Sequence, residues 1–240
     1  MALVGALRVK NEARWITEVL LAIKPICERT YVFDDHSTDE TYTLALDTGA
    51  TVLRSHFRGL DEGRDKDWLV RRIKEDYRVG TWVLMVDGDE VITPEGAREV
   101  QRLASVPNEI AYSFRIRYLW NDRATVRTDG IYATFRRPSM FMIQGDCSLM
   151  RSSHKGNLHC SSVPQGHLTR CVPANVDLLH LGYMHREDRI RKYEWYNRVD
   201  SKNPIEDGYR HCVIGDLFPA DSAFRWGGPL KLEALCTPAV

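Results

Sequence analysis

Strand-like and helix-like segments alternate along the first hundred residues of this chain. Short apolar runs predict strands at residues 2–9, 30–35, 51–55 and 82–86. Apolar residues at helical spacing predict the helices between them, at residues 11–26, 37–50 and 61–77. This alternation is typical of βαβ units, in which helices join parallel strands. It predicts an α/β, Rossmann-like fold with a mostly parallel central sheet flanked by helices.

The predicted helix ends carry recognisable capping residues. Asn11 is a candidate N-cap for the first helix. Ser37 with Glu40 three residues later forms a candidate capping box for the second helix. Gly49 is placed to end that second helix. We therefore expect short, well-defined loops after the first two strands.

The pattern changes after Pro94. A helix is predicted at 94–105, followed by two strands with alternating side chains at 111–120 and 132–143, which suit a smaller antiparallel β portion. A polar loop region follows, and residues 176–200 read as a short strand that runs into a basic amphipathic helix. We expect one single domain, in which residues 1–105 form a first half and residues 106–240 a second half.

The composition narrows the class of protein. The 240 residues include 33 basic and 33 acidic side chains, so no basic excess suggests a nucleic-acid partner. No apolar run is long enough for a transmembrane segment, and the first residues lack the pattern of a signal peptide. The six cysteines contain no CxxC pair, which is typical of reduced thiols. These features favour a cytoplasmic location.

Polar residues follow three of the predicted strands. Lys10–Glu12 follows the first strand, Asp34 and Asp35 end the second, and Asp87, Asp89 and Glu90 follow the fourth. Parallel α/β sheets bind their ligands at the carboxyl ends of the strands, so these ends predict a site. Three carboxylates within four residues repel one another unless a positive charge lies between them.

Two of these strand ends carry a resemblance to a known family. The segment "YVFDDHSTDET" and, about fifty residues later, the Asp-x-Asp motif in "WVLMVDGDEV" resemble the GT-A nucleotide-sugar glycosyltransferases, in particular family 2. The resemblance covers residues 1 to about 100 well and residues 130–200 more loosely. It implies a GT-A fold and an enzyme that transfers a sugar from a nucleoside diphosphate sugar. Residues 1–105 would then be the nucleotide-sugar-binding half and residues 106–240 the acceptor- and sugar-binding half of the single domain.

The resemblance also implies a metal cofactor. Asp87 and Asp89, separated by Gly88, would hold Mn²⁺ or Mg²⁺, which neutralises the departing diphosphate. Asp89 would bind the metal directly, and Asp87 would bind the ribose, the metal or both. His180, in "LLHLGYMHREDRIRKYEWY", would be a third metal ligand.

Further binding residues follow from the same resemblance. Asp35 would accept a hydrogen bond from the base, which leaves UDP, GDP and dTDP sugars as donors. The other implied contacts are with base and ribose (Arg8, Val9, Glu12), with the phosphates near the third helix (Arg64, Lys66) and with the diphosphate from the second half (Tyr183, Arg189). Arg136 and Arg137 would face the acceptor or a phosphate, or lie on a surface strand.

The general base is the part of the pattern that departs from the family. In one bacterial branch a glutamate stands where "GNLHCSSVP" has Cys160. Asp129, Asp146 and Asp177 are therefore the candidates for the base, and Trp120 is a candidate contact for a small or lipid-linked acceptor.

Three alternatives remain open from the sequence. The same metal site would serve a pyranose–furanose mutase or a hydrolase of the nucleotide sugar. A non-catalytic nucleotide-binding module is a further alternative. His159, Cys160, His167 and Cys171 form an alternative zinc set without the usual CxxC spacing.

Overall fold

The computed structural model describes residues 1–105, 109–145, 158–200 and 207–235. Its strands are β1 (Leu3–Val9), β2 (Arg29–Asp34), β3 (Thr51–Arg54), β4 (Trp82–Met85), β5 (Glu90–Ile92), β6 (Ala111–Tyr118), β7 (Thr125–Arg127), β8 (Arg136–Met142), β9 (Cys171–His180) and β10 (Leu232–Ala234). Its α-helices are α1 (Ile16–Ile23), α2 (Thr41–Asp47), α3 (Glu62–Asp76), α4 (Pro94–Ser105), α5 (Ile131–Thr134) and α6 (Arg186–Val199).

Across the described ranges, eight of these strands form one sheet in the order β3-β2-β1-β4-β8-β6-β9-β5. The strands β3, β2, β1 and β4 run parallel to their neighbours, whereas β8 pairs antiparallel with β4. Strands of the second half thus extend the first sheet, and β7 and β10 form a separate antiparallel pair. The predicted α/β fold class is confirmed.

Two compact units divide the chain. Unit 1 comprises Met1–Phe114 and Arg136–Leu178, and unit 2 comprises Arg115–Phe135 and Leu179–Val240. The units are interleaved along the sequence, so neither coincides with residues 1–105 or 106–240. The division into a nucleotide-sugar half and an acceptor half stays a prediction.

The core of unit 1 lies around the parallel strands. Six of the seven residues of β1 are buried, as expected for a parallel strand covered on both faces. Helix α3 contributes Leu69, Val70 and Ile73, whose spacing puts them on one side of the helix. Each such side chain stabilises the fold by about 1.5–3 kcal/mol when it is fully buried.

The first helix starts later than the sequence predicts. Helix α1 begins at Ile16, and Asn11 adopts a left-handed conformation with φ 57° instead of capping it. The Asn11 side chain accepts a hydrogen bond from the Thr38 backbone N–H at 2.8 Å. The N-cap prediction for Asn11 is wrong because this residue joins the loops that follow β1 and β2.

Two other predicted boundaries also shift. Helix α2 begins at Thr41, one residue after Glu40. The Thr41 N–H donates to Asp39 Oδ1 at 3.0 Å, in place of the predicted capping box. The strand predicted at 132–143 begins at Arg136, because residues 131–134 form the short helix α5.

Within the described residues, no helix combines the length and the apolar character needed to cross a bilayer.

Candidate active site at the carboxyl edge of the parallel strands

The strand register of unit 1 brings the predicted strand ends together. Val9 of β1 is paired with Asp34 of β2, and the Asp35 N–H donates to the Val9 carbonyl at 2.8 Å. On the other side of β1, Ala6 is paired with Met85, and the Val86 N–H donates to the Ala6 carbonyl at 3.2 Å. The acids after β2 and β4 therefore lie at the same edge of the sheet, on either side of β1.

Gly88 packs tightly against the loop that follows β1. A Cβ at this position would lie 2.8 Å from Glu12 Cγ and 2.9 Å from Val9 Cγ1. Glu12 is itself anchored, since its backbone N–H donates to Thr41 Oγ1 at 2.7 Å and its carbonyl accepts from Ile16 N at 2.9 Å. Gly88 thus packs against both of the predicted residues Val9 and Glu12.

Asp87, Asp89 and Glu90 form an acidic turn of unequal exposure. The Asp87 side chain is 37% exposed, whereas Asp89 and Glu90 are buried. Glu90 Oε2 accepts a hydrogen bond from the Asp87 N–H at 3.0 Å, which folds the turn back on itself. Burial, together with the charges of Asp87 and Asp89, raises the pKa of Glu90 to about 7 although Arg137 opposes this rise.

Arg137 supplies a positive charge to this turn. Its two terminal nitrogens contact the carboxylates of Asp87 and Glu90, one nitrogen to each acid. Burial alone would lower the pKa of Arg137, but these two carboxylates raise it above its usual value. The neighbouring Arg136 points elsewhere and donates to the carbonyls of Ser113 and Ala174. Arg137 thus contacts the acids of this turn, and the predicted contact of either arginine with the acceptor or a phosphate stays a prediction.

The position of Arg137 follows from strand pairing. Leu84 of β4 is paired with Met140 of antiparallel β8, so each step forward on β4 is a step back on β8. If this register is continued for three more residues, past the end of β4, Asp87 falls opposite Arg137, and the two side chains are in contact. Residue spacing alone does not predict this contact, because fifty positions separate the two residues.

Helix α3 places a buried lysine behind the acidic turn. Lys66 Nζ lies 3.5 Å from Ser162 Oγ; burial lowers the lysine pKa, but the nearby negative charge of Asp87 helps to raise it above its usual value. Burial raises the pKa of the Cys160 thiol, which Lys66 partly offsets. Cys160, which stands at the family's glutamate position, is therefore a neutral partner of Lys66 and a poor general base.

Arg8, at the end of β1, links two acids. Its Nη2 lies 2.5 Å from Asp35 Oδ2 and its Nε lies 3.2 Å from Asp65 Oδ2. Lys10 Nζ is 3.5 Å from the same oxygen of Asp35. Burial raises the pKa of Asp65, although Arg64 and Arg8 both lower it. The predicted base-binding residue Asp35 is therefore held in place by two cations.

Arg64 contacts protein groups on the loop before α3. It donates to Asp65 Oδ1 at 2.7 Å from Nη2 and at 3.0 Å from Nε. It also donates to the carbonyls of Arg58 and Gly59 at 3.2 and 3.0 Å. These contacts fix the loop, and the predicted role of Arg64 at the phosphates stays a prediction.

His180 belongs to unit 2, whereas Asp87 and Asp89 belong to unit 1. The imidazole stacks on Tyr118 with 5.1 Å between ring centroids. Among the residues that the structure describes, no group of three or more His, Cys, Asp or Glu side chains is arranged to hold a metal ion. His180 as a third ligand stays a prediction, and the alternative zinc set has no support.

Tyr183, Arg189 and Trp120 lie in the core of unit 2. Trp120 and Tyr183 stack with nearly parallel rings 6.4 Å apart, and the Arg189 guanidinium lies 4.2 Å from the Trp120 ring centroid. Arg189 also forms two hydrogen bonds with Asp216, at 2.6 and 2.9 Å, and donates to the Tyr183 carbonyl. Burial raises the pKa of the Tyr183 hydroxyl well above its usual value. These contacts describe a buried structural cluster and do not support the predicted ligand contacts.

Asp129 is engaged in a buried ion pair of unit 2. Its two oxygens accept from Arg127 Nε and Nη2, both at 2.8 Å, and from the backbone N–H groups of Gly228 and Lys231. Burial alone would raise the pKa of Asp129, but these hydrogen bonds outweigh burial and bring the pKa below its usual value. A general base needs a pKa near the working pH, so this environment argues against Asp129 as the base. Asp146, the other main candidate, lies outside the described residues.

Several bacterial proteins are similar in sequence to part of the chain. No protein-family model matches it. An uncharacterized glycosyltransferase of Rickettsia felis is 29% identical over 115 residues, which cover 46% of this chain and 37% of the relative. One from Rickettsia prowazekii is 26% identical over 144 residues, covering 58% and 42%. Protein RfbJ of Shigella flexneri is 36% identical over 92 residues, covering 38% and 66%.

A solved structure also matches about half of the chain. It is glucosyl-3-phosphoglycerate synthase from Mycobacterium tuberculosis, in complex with Mn²⁺, UDP and glucosyl-3-phosphoglycerate, with 21% identity and a TM-score of 0.38. This match covers 49% of the present chain and 44% of that structure, too weak a likeness to carry a functional assignment. The present chain spans less than half the length of the two Rickettsia relatives. Those sequence relatives confirm the resemblance predicted from the strand-end motifs, and the chain is related to the glycosyltransferases.

Proposed function

We propose that this chain transfers a sugar from a nucleoside diphosphate sugar with the help of a divalent cation. The observation that carries the proposal is the convergence of Asp35, Arg8 and the turn from Asp87 to Glu90 at one sheet edge of unit 1. The names of the sequence relatives support the same reaction class. The proposed acceptor is a small molecule or a lipid-linked saccharide.

The acidic turn fits Mn²⁺ or Mg²⁺ by the chemistry of its donors. Both ions prefer carboxylate oxygens, and Asp87 and Asp89 provide them on either side of Gly88. Burial raises the pKa of Glu90, and the charges of Asp87 and Asp89 raise it further, which shows that three acids are crowded at this turn. A bound divalent cation would neutralise charge on the diphosphate leaving group.

The other residues of this edge would bind and orient the nucleotide. Asp35 is an acceptor held by Arg8 and Lys10, and it suits the N–H edge of uracil, thymine or guanine. Lys66 contributes a buried positive charge near Asp87, where it would favour the diphosphate. Gly88 lets the turn approach Val9 and Glu12, which brings the metal-binding acids next to the end of β1.

Thermal unfolding in the presence of nucleotides tests this proposal. UDP, GDP and dTDP would each be added with Mn²⁺ or with EDTA, to the wild type and to the Asp89→Ala variant. A ligand present at 100 times its Kd stabilises the folded state by about 2.7 kcal/mol. We expect one nucleotide to stabilise the wild type only with Mn²⁺, and Asp89→Ala to remove this effect.

The control variant is Asp47→Ala, which removes an exposed acid at the end of α2 and should respond like the wild type. If no nucleotide raises the unfolding temperature in the presence of Mn²⁺, the proposed donor site is wrong. Product analysis then separates the reaction classes. A mutase would rearrange the nucleotide sugar without acceptor, a hydrolase would release free sugar, and a transferase would require the acceptor.

A further inference from the structure

Arg137 holds two acids in surroundings that differ sharply. Glu90 is 1% exposed and Asp87 is 37% exposed, while the Arg137 side chain between them is 15% exposed. Glu90 also binds the Asp87 N–H, so it is fixed from two sides. The end of the guanidinium at Glu90 is therefore anchored, and the end at Asp87 borders solvent.

This arrangement matters for any cation at the turn. One Asp87 oxygen, Oδ2, is in contact with Arg137 Nη1 and is not available to a metal ion without sharing. The guanidinium keeps its charge at every pH that proteins tolerate, so it repels a divalent cation bound to the same carboxylate. Because Arg137 is largely buried, solvent screens this repulsion only weakly.

A diphosphate changes the balance of charge. It brings negative oxygens that attract both the metal ion and the arginine, and guanidinium groups suit phosphate oxygens geometrically. The exposed end at Asp87 can exchange its partner while the anchored end at Glu90 stays in place.

We propose that Arg137 makes the binding of Mn²⁺ or Mg²⁺ to Asp87 and Asp89 depend on the nucleoside diphosphate. Arg137 is then a positioning residue that keeps the acids ordered and disfavours the metal ion until the diphosphate arrives. The proposal rests on the donor site described under the proposed function. A purely structural ion pair of Arg137 with Asp87 and Glu90 would stabilise the fold but would not make metal binding depend on the diphosphate.

The test measures free Mn²⁺ by electron paramagnetic resonance, with and without UDP (or the diphosphate that proves to bind). The main variant is the double substitution Arg137→Gln with Glu90→Gln, which removes the pair without changing the net charge. We expect it to bind Mn²⁺ alone about tenfold more tightly than the wild type, because the repulsion is gone. Because UDP would offset this repulsion in the wild type and has none to offset in the variant, UDP should improve Mn²⁺ binding about tenfold less in the variant.

Three further variants complete the design. Arg137→Lys keeps the charge and should retain most of the dependence on UDP. In Glu90→Gln alone, Asp87 is the remaining acid partner of Arg137. We therefore expect this variant to bind Mn²⁺ without nucleotide more weakly than the wild type does. The matched control is the pair Arg98→Gln with Glu95→Gln, which removes an exposed arginine–glutamate pair from α4 and should change neither quantity.

The outcomes separate the two proposals. If the wild type binds no Mn²⁺ even with a diphosphate, the proposed function fails. If the wild type shows nucleotide-dependent Mn²⁺ binding but the double variant binds Mn²⁺ alone no more tightly, the role of Arg137 is overturned. Should the double variant fail to fold, unchanged or tighter Mn²⁺ binding by Glu90→Gln alone would overturn it equally.

Discussion

Gly88 lies directly against Glu12, so that a Cβ on Gly88 would come within 2.8 Å of the Glu12 Cγ. The contact is between the turn after β4 and the loop after β1, both in unit 1. We expect Gly88→Ala to push the acidic turn away from β1, with a loss of about 1–3 kcal/mol in the free energy of unfolding. Chemical denaturation measures this loss, and nucleotide titration should show weakened binding.

Gly166→Ala is the control for this substitution. Gly166 also lies in unit 1, but a Cβ there would meet no atom within 4 Å. Equal stability of the two variants would show that the approach of Gly88 to Glu12 is not tight.

Arg8 should matter for the nucleotide because it holds Asp35. Arg8→Gln leaves Asp35 with Lys10, and it removes the contact between Asp65 and the end of β1. A hydrogen bond to a charged group contributes about 1.5–3 kcal/mol, so we expect the Kd for the nucleoside diphosphate to rise at least about tenfold. Isothermal titration calorimetry measures this change.

Arg29→Gln provides the comparison. Arg29 begins β2 at the opposite edge of the sheet and pairs with Asp76 at 3.5 Å, with half of its side chain exposed. We expect its nucleotide affinity to match that of the wild type. A similar loss in both variants would mean that Arg8 acts through stability alone.

Asp129→Asn should destabilise the protein strongly. The substitution removes the negative charge that balances Arg127, whose side chain is fully buried. Breaking one partner of a buried ion pair costs about 3–5 kcal/mol, and we expect a loss of this size in chemical denaturation.

Activity per folded molecule distinguishes this structural role from catalysis. We expect Asp129→Asn to keep its activity once the folded fraction is taken into account, and Asp122→Asn, at an exposed loop position, to behave as the wild type. A shifted pH profile in folded Asp129→Asn would restore Asp129 as a candidate base.

His167 should make the stability of the protein depend on pH. It is buried, its Nε2 lies 2.9 Å from the Met142 carbonyl oxygen, and its Nδ1 has no hydrogen-bond partner among the residues that the structure describes. Burial lowers the His167 pKa below 6.5, although the bond to Met142 opposes this. The unfolded chain therefore takes up a proton that the folded state resists, and stability present above about pH 6.5 is lost as the pH falls below it.

Unfolding temperatures between about pH 7 and pH 5 test this expectation. His167→Gln, which does not titrate, should lose less stability over this range than the wild type does. His56→Gln, at an exposed histidine, should follow the wild type. Identical slopes for the wild type and His167→Gln would contradict the assignment.

Most of the first hundred residues could be predicted from the sequence, because local patterns determine which segments become strands and helices. The apolar runs of β1, β2 and β4 and the helical spacing in α3 are visible in the order of the residues themselves. The placement of Asp35, Asp87 and Asp89 at one edge then follows from the parallel arrangement alone. The predicted cap at Asn11 failed because its side chain found a partner in a different loop, at Thr38.

The tertiary structure alone decided which charges meet. Arg137 reaches Asp87 only because β8 pairs antiparallel with β4 in one register. Two candidates from the sequence form ion pairs within unit 2 instead: Asp129 pairs with Arg127, and Arg189 pairs with Asp216. Side-chain periodicity reports on neighbours within an element, whereas an ion pair depends on the register between segments far apart in the chain, which that periodicity does not encode.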